Sequence, residues 1–322
     1  MQYNSTQDIK DLARDLDQTA IKVSQDDTPI LNAMPKGRAV KNPLNVEITI
    51  SKHRASTGNN AVLEGADVTE VDKGDQPEFP SNICQIQSYT YGETGTVAHL
   101  KPEAMDGHTL KEQIRADIEI HIHARKEAER TIMQNQASRS QSGSNPRLLA
   151  GLPSFMEDNV SRGTGGSNGG YSNGTTSEAT DGEERYISED ILNNVIKSMK
   201  DNGAETSRLS LYVGTFNKQY ISKTFNGYNT RNIEMTKDGA LNSAVSIYNH
   251  DFGSAQVKCS HEMNPTDAFL INFDHFKLAK YRWAHKNQLA KTGDSNKFQI
   301  LYEYTTEVDQ RGLGLIADCK KS

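Results

Sequence analysis

Between Gly107 and Gly143 the apolar residues keep a helical spacing. From His108 to Gln141 there is no glycine and no proline; Leu110, Ile114, Ile118 and Ile122 recur every fourth residue, and Ala124, Ala128 and Ile132 continue the same side. The core of this run is read as one long helix of about seven turns, roughly 40 Å at the α-helical rise. Ile120 widens the apolar sector to about half the circumference, more than a single contact requires. The helix is therefore expected to pack against its own domain and against something further, as a scaffold would.

Elsewhere the period changes. Thr6–Val23 predicts an amphipathic helix with Ile9, Leu12, Leu16, Ala20 and Ile21 on one side, either an ordinary first helix or an arm lying on a neighbouring subunit. Ile30, Leu31 and Met34 then form a short apolar anchor between Pro29 and Pro35. Leu44, Val46, Ile48 and Ile50 alternate with polar residues, the pattern of a half-buried strand. A polar tract from Ser51 to Pro80 has no run able to make a core, and β-type sequence returns from Asn82 to Leu100. So long a loop is unusual inside a compact domain, so the two strands are expected to form a hairpin projecting from the body. Its basic part (Lys52, His53, Arg54) and acidic part (Glu64, Asp67, Glu70, Asp72) can meet each other or a neighbour; exposed pairs of this kind contribute ~0–1 kcal/mol each.

In the second half, Arg162–Gly182 reads as a flexible, low-complexity loop. Ser188 is placed to cap a helix whose first turn holds Glu189 and Asp190; its stripe is Ile191, Leu192, Val195, Ile196 and Met199, and Gly203 closes it. Arg208–Val213 predicts a strand and Phe216–Phe225 a short helix. Ala244–Tyr248 and Ala255–Cys259 predict strands joined through Asn249-His250-Asp251-Phe252-Gly253, and Ala268–Phe273 another. The mixed order of types, with several antiparallel pairings, gives an α+β class.

Composition sharpens this picture. A chain of 322 residues can bury about three quarters of its unfolded surface, as one large domain or two ordinary ones. Only 34% of residues are hydrophobic and mean hydropathy is −0.71, which fits long extended segments ordered by neighbours better than a compact enzyme. The net charge of −6 supplies no global basic field to draw in nucleic acid. Cys84, Cys259 and Cys319 are odd in number and widely spaced, so neither a disulfide framework nor a metal ribbon follows, and a reducing compartment is expected. The polar opening MQYNSTQDIKDLARDL is unlike a secretory signal, and no apolar run approaches the ~20 residues of a membrane span. A soluble protein made in a cytoplasm is expected.

Three patterns invite an enzymatic reading. On a strand, Glu119, His121 and His123 would share a face and could hold a metal, the basis for an alternative assignment as a metal-dependent hydrolase. On a helix, His121 and His123 stand about 200° apart and cannot grip one ion. The long helical flanks favour the helix, where Asp117, His121 and Arg125 would form an i, i+4 ladder. Gly165-Gly166-Ser167-Asn168-Gly169 has the letters of a nucleophile elbow, but no apolar strand precedes it; the same loop lacks the Lys-Ser/Thr of a phosphate loop. His250, His261, His275 and His285 show no metal-ligand spacing, and His261-Glu262 lacks the second histidine of a zinc-protease motif. No catalytic, cofactor or metal residue is assigned.

The C-terminal stretch KYRWAHKNQLAKTGDSNKFQILYEYTTEVDQRGLGLIADC resembles the tail of the tailed-bacteriophage major capsid (major head) proteins of the SU-ten type. Further matches fall in the same order: Val62–Asp67 with its E-G-A-D, Arg115 with Asp117-Ile118-Glu119, Asn135-Gln136-Ala137, Leu149–Leu152, Asn159–Gly163 and Asp251-Phe252-Gly253. Ala116 interrupts the R-D-I-E match, and Pro153-Ser154-Phe155 stands where the family pattern is more helical and ends in tryptophan. The resemblance covers roughly Thr28 to Cys319. It implies an α+β Hong Kong 97-type capsid fold with an N-terminal arm (1–41), an extended β-hairpin loop (42–100), a peripheral domain with a long spine helix (101–186), an axial domain (187–285) and strands returning to the peripheral domain (286–322). Phe298–Glu307 and Gly312–Asp318 would return to the spine. The implied function is structural: hexamers and pentamers tiling an icosahedral shell around packaged double-stranded DNA in the virion, after assembly in the host cytoplasm. The chain itself is the main partner; scaffolding, portal and decoration proteins are further candidates, DNA contact is nonspecific, and no membrane is involved. A cellular nanocompartment shell would share the fold. A fibre adhesin would carry internal repeats, and none is found.

Overall fold

The computed structural model describes residues 28–48, 63–65, 67, 79–94, 106–172, 175–225, 246–291 and 293–321; the predicted helix at Thr6–Val23 lies outside them. In chain order the first half holds α1 (Pro29–Ala33), β1 (Val46–Glu47), β2 (Ser81–Asn82), β3 (Gln85–Thr94), the long helix α2 (Asp106–Gln134), β4 (Val160–Ser161), β5 (Gly170–Ser172) and β6 (Thr175–Ser177). The second half holds α3 (Glu189–Asp201), β7 (Arg208–Val213), α4 (Thr215–Thr224), β8 (Ile247–His250), β9 (Gly253–Cys259), β10 (Ala268–Ile271), β11 (Phe276–Gln288), β12 (Ser295–Val308) and β13 (Leu313–Ile316). The class is mixed α and β, as the alternation of periods predicted.

Helix α2 confirms the long-helix reading of about seven turns for the core of this run and ends at Gln134, as expected for His108–Gln134. Met133 is the last apolar residue of the stripe. Beyond it Asn135 turns the chain, its side chain donating to Leu149 O at 3.1 Å, and Arg139 pairs with Leu148. Ala124, Ala128, Ile132 and Met133 are fully buried, the alanines allowing close packing, whereas Ile118 and Ile122 remain half-buried.

The main sheet has six strands in the order β4-β13-β10-β7-β9-β8. Both of its faces are covered. Leu209, Leu211, Val213, Leu270 and Ile316 share a core with Leu192, Val195, Ile196 and Met199 of α3 and Ile221 of α4. Tyr212, Phe269, Ile271, Leu313 and Leu315 join a second core that contains the buried side of α2. This is why the strands read as near-continuous apolar runs: all four residues of β10 and of β13 are buried. Ser188 caps α3 as predicted, accepting from Ile191 N at 3.3 Å, and Gly203 ends the helix at φ +82°.

A three-stranded antiparallel sheet, β11-β12-β3, completes the core around α2, with Tyr302 and Tyr304 buried. Here the structure revises the expected pairings. The described part of Asn82–Leu100 pairs mainly with β12. Among the described residues the base of the predicted hairpin is closed by Val46–Glu47 against Ser81–Asn82, flanked by hydrogen bonds from Ile48 N to Pro80 O and from Cys84 N to Pro43 O, both at 2.9 Å. Phe298–Glu307 lies in this sheet. The Gly312–Asp318 segment does not return to the long helix as a strand; β13 sits between β4 and β10, and its Leu313 and Leu315 side chains alone among its four join the core around α2. The Pro153 region forms one 3₁₀ turn, Leu152–Phe155.

The glycine-rich segment expected to be a flexible loop is a folded hairpin. Ser167 and Thr180 exchange backbone hydrogen bonds at 3.0 Å, and β5 pairs with β6. Its glycines serve close approach: a Cβ on Gly163 would stand 2.0 Å from the Glu183 carbonyl oxygen. Gly163→Ala is expected to cost ~1–3 kcal/mol through forced backbone movement, read as a lower midpoint of urea unfolding.

Candidate functional site

The polar residues that matter most in this fold tie distant segments to α2 and its sheet. Glu129 stands on α2, only 1% exposed, one position past Ala128. Its carboxylate accepts from Ile30 N (3.1 Å) and Leu31 N (2.9 Å) in α1 and from Ser260 Oγ (2.7 Å) beyond β9. Three segments thus meet on one buried oxygen pair. Burial pushes this carboxyl up to about 7, outweighing the hydrogen bonds that lower it.

Glu303 of β12 is a second node, also 1% exposed. Arg282, opposite it in the β11 register, donates from Nε at 2.8 Å; Arg147, from the segment after α2, donates to the other carboxylate oxygen. Two guanidinium groups compensate a buried charge that would otherwise be costly. Asn82 fixes the base of the long loop: its side chain donates to Ala150 O and Thr306 Oγ1, both at 3.1 Å, and accepts from Ala150 N at 2.8 Å. Asn159 does the same for β13, donating to Leu313 O and accepting from Ser198 of α3 and from Asn202, which caps its C-terminal end.

The residues singled out for chemistry are placed differently. Glu119, His121 and His123 lie on helix α2, so the metal-gripping strand does not exist. His121 Nδ1 is 2.9 Å from Tyr302 Oη, while His123 stands edge-on to Tyr89 and 3.7 Å from Glu127. The Asp117–His121–Arg125 ladder is not formed either. Asp117 pairs with Lys286 at 2.6 Å, and Arg125 reaches Thr28 and Asn32, because partners on packed elements are better placed than those one turn away. Ser167 Oγ bonds Thr180 Oγ1 at 2.7 Å within the hairpin, not on a strand-to-helix turn. His275 pairs with Asp309 at 3.0 Å, and His250 Nδ1 accepts from Phe252 N. Among the described residues no group of three His, Cys, Asp or Glu could hold a metal ion, and no helix is long and apolar enough to cross a membrane.

Sequence reasoning missed Glu129, Arg147 and Asn82, and noted Glu303 only as part of the C-terminal resemblance, with no role. Two left a signal: Glu129 adjoins the Ala124–Ala128–Ile132 stripe, and Glu303 interrupts the strand ILYEY. A carboxylate in such a place is buried with partners.

A long helix braced by a three-stranded sheet, joined to a six-stranded sheet with its own helices, is an arrangement this chain shares with solved structures. The chain overlays the capsid of cyanophage A-1(L) with a TM-score of 0.59 at 8% identity, covering 92% of this chain and 93% of that one. It overlays the capsid of a native GTA particle at 0.56 and 12% identity, covering 91% of each. The holo-SrpI encapsulin of Synechococcus elongatus PCC 7942 gives 0.52 at 9% identity, covering 92% and 88%. These likenesses define the fold, the Hong Kong 97 type of capsid subunit. No curated protein matches the chain in sequence. Residues 1–320 match the family model described as SU10 major capsid protein, and the chain belongs to that family. It is thus a major capsid protein of a tailed phage, a structural component of an icosahedral virion shell and not an enzyme.

Proposed function

We propose that this chain is a tile completed by its neighbours: hexamers and pentamers in which an arm (1–41) and an extended loop (42–100) overlap adjacent copies around packaged double-stranded DNA. Residues 101–186 would form the peripheral region on α2, and 187 onward the axial region. Packing supports an axial boundary near Asp274, since β11 belongs to the sheet around α2. Residues 286–322 then divide between the two regions, β12 with the peripheral sheet and β13 with the axial one.

The observation that carries this reading is the base of the loop. Two residue pairs, β1 against β2, and the buried Asn82 anchor hold the base of a segment of about thirty polar residues. Leu44, Phe79 and Ile86 remain exposed around that base, and Ile118 and Ile122 on α2 are only half-covered, as expected of surfaces met by another copy. Repeated contacts of this head-to-tail kind close into rings. The net charge of −6 suits an inner wall along which DNA slides, with scaffolding, portal and decoration proteins as further partners.

Replacing Ser56–Gln76 by a short Gly-Ser linker is the test. It spares Pro80, whose carbonyl accepts from Ile48 N at 2.9 Å. Negative-stain microscopy is expected to show folded capsomers or aggregates; normal shells would refute the overlapping loop.

A further inference from the structure

A cavity of about 200 Å³ opens where α1 meets β11, with Leu31 and Met34 contributing apolar wall and Lys36, Arg125, Lys280 and Trp283 the rest of its chemistry. Among the described residues no carboxylate lies within 4 Å of any of the three cations. Glu129, one turn further along α2, acts electrostatically on Arg125, but its oxygens are already hydrogen-bonded to Ile30, Leu31 and Ser260. Arg125 directs one nitrogen to Thr28 and Asn32, while its buried Nε has no partner. Lys280 Nζ sits 4.3 Å from the centre of the Trp283 ring. The crowding shows in its protonation: burial first, then the charges of Arg125 and Lys36, push Lys280 down, and burial with Arg125 and Lys280 does the same to His121. Positive charge gathered in a partly dry cavity is unfavourable until an anion enters.

We propose that this cavity is the receptor for the acidic stretch Glu64–Glu78 of a second copy of the chain. The proposal rests on the overlapping-loop reading and names the partner surface for it. The charges match: Glu64, Asp67, Glu70, Asp72, Asp75 and Glu78 stand against the single Lys73. The shape favours carboxylates over a duplex. DNA binding rests on many exposed cations tracking a phosphate backbone. Here Arg125 is half-buried in a cavity with a partly apolar wall, a place a carboxylate on a thin loop can reach and pair in a charge-assisted contact.

Two charge-reversed chains test this. One carries Lys36→Glu and Lys280→Glu; the other carries Asp67→Lys, Glu70→Lys and Asp72→Lys. Each alone is expected to give shells at a yield reduced at least about tenfold, the factor for one lost contact of ~1.4 kcal/mol. Mixed in equal amounts they are expected to recover hexameric capsomers, in which the two chains can alternate so that each receptor meets a loop of opposite sign on another copy; a five-membered ring keeps one mismatched contact. Normal shells from the receptor variant alone overturn the proposal; so do normal shells that have lost DNA, which would mark a phosphate site. Two folded variants that form no hexamers when mixed also overturn it. Should the receptor variant misfold, the wild-type chain supplies a second readout. Trp283 is its only tryptophan. A synthetic peptide spanning Glu64–Glu78 is expected to shift its emission before assembly and to lose that effect in high salt; unchanged emission overturns the site. If the loop replacement abolishes shells while the receptor variant forms them, this receptor fails and the overlapping loop stands.

Discussion

Glu303→Ala is expected to lower the stability of the folded chain by about 3–5 kcal/mol, the cost of stranding buried charge. The carboxylate is 1% exposed, and its partner Arg147 retains 11% side-chain exposure, so that guanidinium cannot recover its hydration by moving slightly. Arg282, at 39%, can turn to solvent and contributes less to the loss. The damage is also mechanical. Arg147 belongs to the segment after α2, Arg282 to β11 and Glu303 to β12, so one deletion releases three elements. Glu303→Gln, which keeps an acceptor without the charge, should fall between wild type and alanine. Urea unfolding of each variant at unchanged slope measures the difference; a loss below about 1 kcal/mol for alanine would show that water compensates the arginines.

Glu129→Gln is expected to flatten the dependence of stability on pH. In the folded chain burial holds the Glu129 carboxyl up to about 7, above its ordinary 4.5. A group raised in this way contributes stability that is fully present below its unfolded value and is lost as pH rises through its folded one. The wild-type chain should therefore weaken from about pH 5 to pH 8 by an amount bounded at about 3 kcal/mol. Asp267, pushed up to about 7 mainly by burial, adds a slope of the same sign, so the glutamine variant keeps part of it. The amide still offers an oxygen to Ile30 N and Leu31 N, which separates loss of titration from loss of the contact. Unfolding free energies at several pH values decide it; equal slopes for wild type and variant would mean that Glu129 does not titrate in this range.

Local features were legible where one segment decides its own structure. Alternation and capping residues located β7, β9 and α3 to within a residue or two at each boundary, because Ser188, Gly203 and the apolar runs act within a few positions. The four-residue repeat chose helix over strand for Ile118–His123 correctly, since its flanks extended the same period. What the chain did not announce was pairing between remote segments. Val46–Glu47 and Gln85–Thr94 both looked like hairpin strands, yet β3 goes mainly to β12, a choice made by aromatic partners such as Tyr91 and Phe298 far along the chain. The glycine-rich hairpin was misread for a related reason: glycine signals freedom until another backbone lies against it, as Glu183 does at Gly163. Glu129 and Glu303 were opaque because their partners are backbone amides, a serine and two arginines that only the tertiary fold brings near.

The pairing of β3 with β12 sets an order on synthesis. Ser88 and Gln299 touch through their side chains although 211 residues separate them. While the ribosome is still making the middle of the chain, β3 has no partner, and the braced side of α2 stays open. Closing so distant a pair is slow, because the intervening loop entropy must be overcome before the contact rewards it. The sheet that braces α2 is therefore finished only once the last strands are out, so the folded subunit is completed behind translation.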